Sequence, residues 1–183
     1  MKCKIFLMLS LPAFVLSSCL KDKPNVDLSD INPVAELTTA STSPTSQAPV
    51  SGLAYWSGAA VVFNTGQVLD TVTFTANIAS DYPLNTATSI TLGVDTALVS
   101  SFNASGTSSN TYKVMPDSDY SFAVTSGTIP AGARLDTFTV IFNASKINDS
   151  ISYMLPIQIT QASNNLIISG NLGAIYFHVD ATQ

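Results

Sequence analysis

The chain is 183 residues long, with a formal net charge of −5, 46% hydrophobic residues and only 10% charged ones. Seven lysines and arginines spread over that length cannot form the basic stripe that neutralises phosphates, so nucleic acid is excluded as a partner. The two cysteines, Cys3 and Cys19, both sit near the start, so the rest of the chain holds no disulfide and depends on core packing.

Lys2 and Lys4 precede twelve apolar-dominated residues, Ile5 to Leu16, a run too short to span roughly 30 Å of hydrocarbon. Residues 1–18 therefore read as a cleaved signal, and Leu16-Ser17-Ser18-Cys19 reads as a lipobox. The Cys19 thiol is the nucleophile that a bacterial lipoprotein pathway acylates before cleavage. Two or three acyl chains anchor stably where one is marginal. The expectation is a lipid-anchored protein of the outer membrane, held to the membrane through Cys19.

Over residues 19–52 the composition shifts to Ser, Thr, Pro, Asp and Asn. Pro24, Pro33, Pro44 and Pro49 are spaced too closely for a long helix, and Thr38 to Ser46 has little to bury. A flexible tether is expected there, followed by one domain over 53–183.

Period-two alternation marks that domain. Val72, Phe74, Ala76 and Ile78 face one way and Thr71, Thr73, Thr75 and Asn77 the other. The pattern recurs in Ile90 to Asp95, Thr137 to Phe142 and Ile175 to Val179. Shorter candidates are Ala59 to Phe63, Tyr112 to Met115, Tyr120 to Thr125, Tyr153 to Thr160 and Leu166 to Ser169. About seven to nine short strands separated by frequent turns predict an all-β antiparallel sandwich. Asp95 to Phe102 opens on capping residues and predicts one short helix. Pro130-Ala131-Gly132 predicts a tight turn between neighbouring strands. Pro156 cannot donate to a ladder, which predicts an edge strand or a bulge.

Three segments in order, Tyr112-Lys113-Val114-Met115-Pro116-Asp117-Ser118-Asp119-Tyr120-Ser121, Gly127-Thr128-Ile129-Pro130-Ala131-Gly132 and Tyr153-Met154-Leu155-Pro156-Ile157, carry a family likeness. The chain resembles the domain of unknown function 1735 family over roughly Tyr55 to Val179. That resemblance implies an immunoglobulin-like module of Bacteroidetes lipoproteins encoded near glycan-uptake systems, with polysaccharide or other envelope proteins as partners. It supplies no catalytic residues. The hydrolase domain that follows the module in some relatives is expected to be absent, the sequence ending at Gln183. Surface-displayed members carry an acidic run after the lipidated cysteine. Here Leu20-Lys21-Asp22-Lys23 leaves cell surface and periplasmic face both open.

Glycoside hydrolysis needs two carboxylates flanking the scissile bond, yet the only glutamate is Glu36, in the tether stretch. Asp117 and Asp119 form a lone D-x-D without the glycine and distal glutamate of a calcium loop, which reads as turn chemistry. His178 is the only histidine, so neither a Ser-His-Asp set nor a zinc site is predicted from it. No enzyme activity, cofactor or metal is expected. Sugars stack on flat rings, and Tyr55 and Trp56 are the first candidates for that contact, against a core-capping role for Trp56. Tyr82, Tyr120 and Tyr153 are weaker ones. Asp70-Thr71-Val72, Asp95-Thr96-Ala97 and Asp149-Ser150-Ile151 resemble the triplet at which Bacteroidetes attach O-linked sugars, which makes Thr71, Thr96 and Ser150 candidate modification sites. The expected role is a non-catalytic binding or scaffolding lipoprotein tied to glycan capture. The alternative is a structural or adhesive, fimbria-like subunit that pairs strands with another chain.

Overall fold

Alternating apolar residues build two facing sheets. The computed structural model describes residues 32–39, 45–47, 56–61 and 68–179. In chain order the elements are β1 (Val34–Thr39), β2 (Thr45–Gln47), β3 (Trp56–Ala60), β4 (Asp70–Ala79), β5 (Thr88–Val94), α1 (Ala97–Ser105), β6 (Lys113–Val114), β7 (Tyr120–Phe122), β8 (Ser126–Ile129), β9 (Leu135–Phe142), β10 (Tyr153–Ala162), β11 (Ile167–Ile168) and β12 (Ala174–Val179). One sheet runs β11-β1-β4-β9-β7. The other runs β2-β3-β12-β10-β5-β8, with β6 also pairing β10. Most pairings are antiparallel, as expected, but β1 with β11, β3 with β12 and β6 with β10 are parallel.

The inward residues of both sheets form one core. Phe74 of β4 stacks on Phe138 of β9 at 5.9 Å and meets Phe177 of the facing β12 at 5.6 Å, while Phe142 approaches Phe177 edge-on at 6.2 Å. Each such pair adds about 0.5–1.5 kcal/mol beyond its buried area. On the outer face of the first sheet the alternate positions are polar. Thr38, Thr75 and Thr137 fall in one row across β1, β4 and β9, and the Thr38 and Thr75 hydroxyls bond at 2.6 Å.

A second buried cluster lies on the outer face of the other sheet. Helix α1, running where the sequence predicts one, lays Val99 and Phe102 over Met154 and Tyr176, with Tyr112 alongside. Asp95 rather than the N-cap Thr96 opens the helix, its Oδ1 accepting the Ala97 N–H at 3.0 Å.

Four sequence expectations change. The tether predicted over 19–52 is interrupted by β1, which sits between β4 and β11 with Ala35 and Leu37 fully buried, and by β2, which pairs β3 in the other sheet. Two inward residues, one only an alanine, give too weak an alternation to stand out among prolines and hydroxyls. Pro156 lies in a central strand, not an edge. It pairs with Tyr176, and on its other side it falls in the gap between β6, which pairs Tyr153 and Met154, and β5, which pairs from Ile157 on, its carbonyl accepting the Asp95 N–H at 3.3 Å. The irregularity in that strand falls further on, between Ile159 and Gln161. The Tyr120 to Thr125 run is strand only as far as Phe122: β7 pairs β9 in one sheet, and β8, which pairs β5 in the other, begins only at Ser126. The Pro130-Ala131-Gly132 turn then carries the chain from β8 to β9, across the sandwich rather than between partners in one sheet. Gly132 has φ 80° and the Ala133 N–H returns to the Pro130 carbonyl at 3.0 Å, a geometry that needs glycine at that position.

Candidate functional site

Three connections meet at one end of the sandwich: residues 80–87 after β4, 130–134 before β9 and 163–166 after β10. They are knitted by hydrogen bonds. The Arg134 guanidinium donates to the Ile78, Ser80 and Asp81 carbonyls and to the Ser80 hydroxyl. The Gly132 N–H donates to the Leu84 carbonyl at 2.9 Å, and the Asn164 amide donates to the Ala87 carbonyl and the Thr88 hydroxyl at 3.0 and 2.9 Å. Asn164 and Asn165 take positive φ values of 60° and 55°, which asparagine tolerates in tight turns. From this fixed base Tyr82 projects with 81% of its surface exposed, its carbonyl held by the Ser80 hydroxyl at 2.7 Å.

Next to the Asn164 turn, where the chain leaves β10 for β11, an open groove of about 440 Å³ is lined by Ser89, Thr91, Thr160, Gln161 and Ser163 with Ala162, Leu166 and Ile168. The register shift between Ile159 and Gln161 opens it. Its walls are braced: the Ser89 N–H donates to the Ser163 hydroxyl at 2.8 Å, the Ser163 N–H returns to the Ser89 carbonyl at 3.0 Å, and the Thr160 hydroxyl donates to the Thr91 carbonyl at 3.2 Å. No ionisable side chain lines it.

The residues singled out in the sequence distribute differently. Cys19 and Tyr55 lie outside the described residues. Trp56 opens β3 with its backbone opposite Gln47. Tyr153 is buried in the core and Tyr120 is partly buried, its hydroxyl donating to Asp117 at 3.0 Å. Burial first, then that bond and the Asp117 charge, pushes the Tyr120 phenol up to about 12. Burial also raises the Tyr176 phenol above its ordinary value, with the Asp95 charge adding to the effect. Asp119 is buried and accepts the Ser118 hydroxyl at 2.7 Å, so the two aspartates serve different local bonds. His178 stands beside Tyr112, ring centroids 5.6 Å apart. Among the described residues no three His, Cys, Asp or Glu side chains gather as metal ligands, and no helix is long and apolar enough to cross a membrane. Thr71, Thr96 and Ser150 are all exposed, and all lie toward the end opposite the knitted loops. Sequence reading ranked Tyr82 low and missed the groove, because the bulge that opens it depends on pairing between β5 and β10.

A family model described as an N-terminal domain matches residues 54–166, well over half of the chain. No curated protein matches the chain. Among solved structures, a Bacteroides ovatus protein provisionally described as carbohydrate-binding superposes with TM-score 0.60 at 15% identity, covering 81% of this chain and 37% of that one. A Bacteroides ovatus multidomain protein including DUF1735 gives TM-score 0.56 at 17% identity over 78% of this chain and 44% of that one. Bacteroides thetaiotaomicron EndoBT-3987, solved with its Man5GlcNAc product, gives 0.54 at 18% identity over 67% and 28%. The chain thus spans less than half the length of these structures, and the likeness is one of fold. Together with the family match over the sandwich itself, these findings show that the chain belongs to the DUF1735-like family of Bacteroidetes N-terminal domains.

Proposed function

We propose that this chain is a non-catalytic lipoprotein of the cell envelope, anchored through Cys19, whose sandwich captures glycans at its knitted loop end. The observation that carries the reading is Tyr82, an almost fully exposed ring on a loop fixed by Arg134. A ring held in place before binding loses little freedom when a sugar stacks on it, so more of the contact energy appears as affinity. The carbohydrate-linked descriptions of two proteins that share the fold support the same direction.

The chain path supports capture close to the membrane. Val34 pairs with Ala79, so the segment running back toward Cys19 leaves from the loop end. Residues 20–33, fully extended, reach at most about 50 Å. A bound glycan would then sit within that distance of the bilayer, while sugars attached at Thr71, Thr96 or Ser150 would stay clear of the capture surface. The adhesive alternative has little edge to use: the outermost strands among the described residues are β11, β7, β2 and β8, of two to four residues each.

Affinity electrophoresis of the full chain against a polysaccharide panel tests the reading. Migration retarded by at least one glycan, with retardation weakened in Tyr82→Ala, is expected. Cys19→Ala should move the protein out of the membrane fraction. Unretarded migration with every glycan, or a Cys19→Ala chain that stays membrane-bound, would refute the corresponding half.

A further inference from the structure

We infer that the groove between β5, the bulged end of β10 and β11 is a subsite for a neutral saccharide, adjoining the Tyr82 loop; this rests on the glycan reading above and names the place and chemistry of the ligand. Its volume of about 440 Å³ falls within the range of roughly 300–1,000 Å³ that small-molecule sites occupy. The lining selects the ligand class. Every polar side chain in it ends in a hydroxyl or an amide, so neither a phosphate nor a cation finds a counter-charge there.

The polar groups are also available. The Gln161 side chain and the Ser89 hydroxyl make no hydrogen bond to the protein among the described residues, and the Ser163 hydroxyl, which accepts from Ser89, keeps its own proton to donate. Leu166 and Ile168 add an aliphatic side against which the C–H face of a sugar ring can rest. Donors, acceptors and an apolar face within one uncharged recess match what a polyol needs. The wall is held by the paired Ser89–Ser163 bonds and by Asn164, so the groups stand in position before the ligand arrives.

The test uses two variants of the full chain with the same affinity gels, run with neutral mannan, xylan and dextran and with anionic pectin. Gln161→Ala removes an exposed amide and should weaken retardation about fivefold, the effect of one neutral hydrogen bond. Ser89→Phe keeps the backbone bonds and plugs the groove, which should abolish retardation with an unchanged melting curve. Retardation by a neutral glycan that is lost in Ser89→Phe upholds the inference. Retardation lost in Tyr82→Ala but intact in both groove variants would overturn the groove and leave glycan capture standing. Retardation by pectin alone would overturn the neutral class, and no retardation by any glycan would overturn both readings.

Discussion

The two buried clusters of this molecule follow different rules. Between the sheets, Phe74, Phe138, Phe142 and Phe177 are inward members of an alternation and are 0–1% exposed. On the outer face of the second sheet, Met154 and Tyr176 occupy the opposite phase of β10 and β12, yet they too are buried because α1 covers them. Burial on both faces is why Tyr153 to Ile157 reads as an unbroken apolar run. The difference is that the sandwich core follows from strand pattern alone, whereas the outer patch exists only while the helix stays docked. A peripheral cluster of five side chains is the place to expect local opening first.

That contrast can be broken by mutation. Phe177→Ala removes the ring that links the two sheets and should cost about 3–5 kcal/mol, seen as a lower urea midpoint for the whole molecule. Phe102→Ala unseats α1 from Tyr112 and Tyr176 and should cost roughly 2 kcal/mol. Hydrogen exchange should then speed up over 97–105 while β4 and β9 keep their protection. Equal acceleration in helix and sheets would mean that the two clusters are one cooperative unit. Arg134→Met strips the loop end of its four bonds and should cost about 1–2 kcal/mol, with faster amide exchange over 80–84.

The smallest effect is a titration. The folded Tyr120 phenol holds its proton up to about 12, against 10.0 for the free side chain. Below pH 10 its contribution is fully present, and stability falls as pH rises from about 10 through 12. Tyr120→Phe should lower the melting temperature slightly at neutral pH and flatten its decline over that alkaline window. An unchanged alkaline slope would show that the phenol is not coupled to folding.

Much of the sandwich was legible because Thr71 to Ile78, Ile90 to Asp95, Thr137 to Phe142 and Ile175 to Val179 alternate strongly enough to fix which face is inward. Strand β1 was not, since Ala35 and Leu37 become core only through long-range pairing with β4. Pro156 was half legible: its strand is central rather than an edge, but it does carry a register shift, between Ile159 and Gln161. A proline is barred from a ladder, but whether a ladder runs beside it depends on where β5 stops. The loop end was legible in parts only. Pro130-Ala131-Gly132 announces a turn, but its meeting with the Tyr82 loop and with the Asn164 turn rests on Arg134 and Asn164 bonding to residues more than fifty positions away.

Amide chemical-shift mapping on the full chain, titrated with a neutral glycan that retards it, tests the central claim most directly. The account predicts shifts confined to residues 80–91 and 160–168, where the knitted loops and the groove meet. Shifts gathered instead around α1 or the turns at 116–119 and 143–150, at the opposite end, would contradict it.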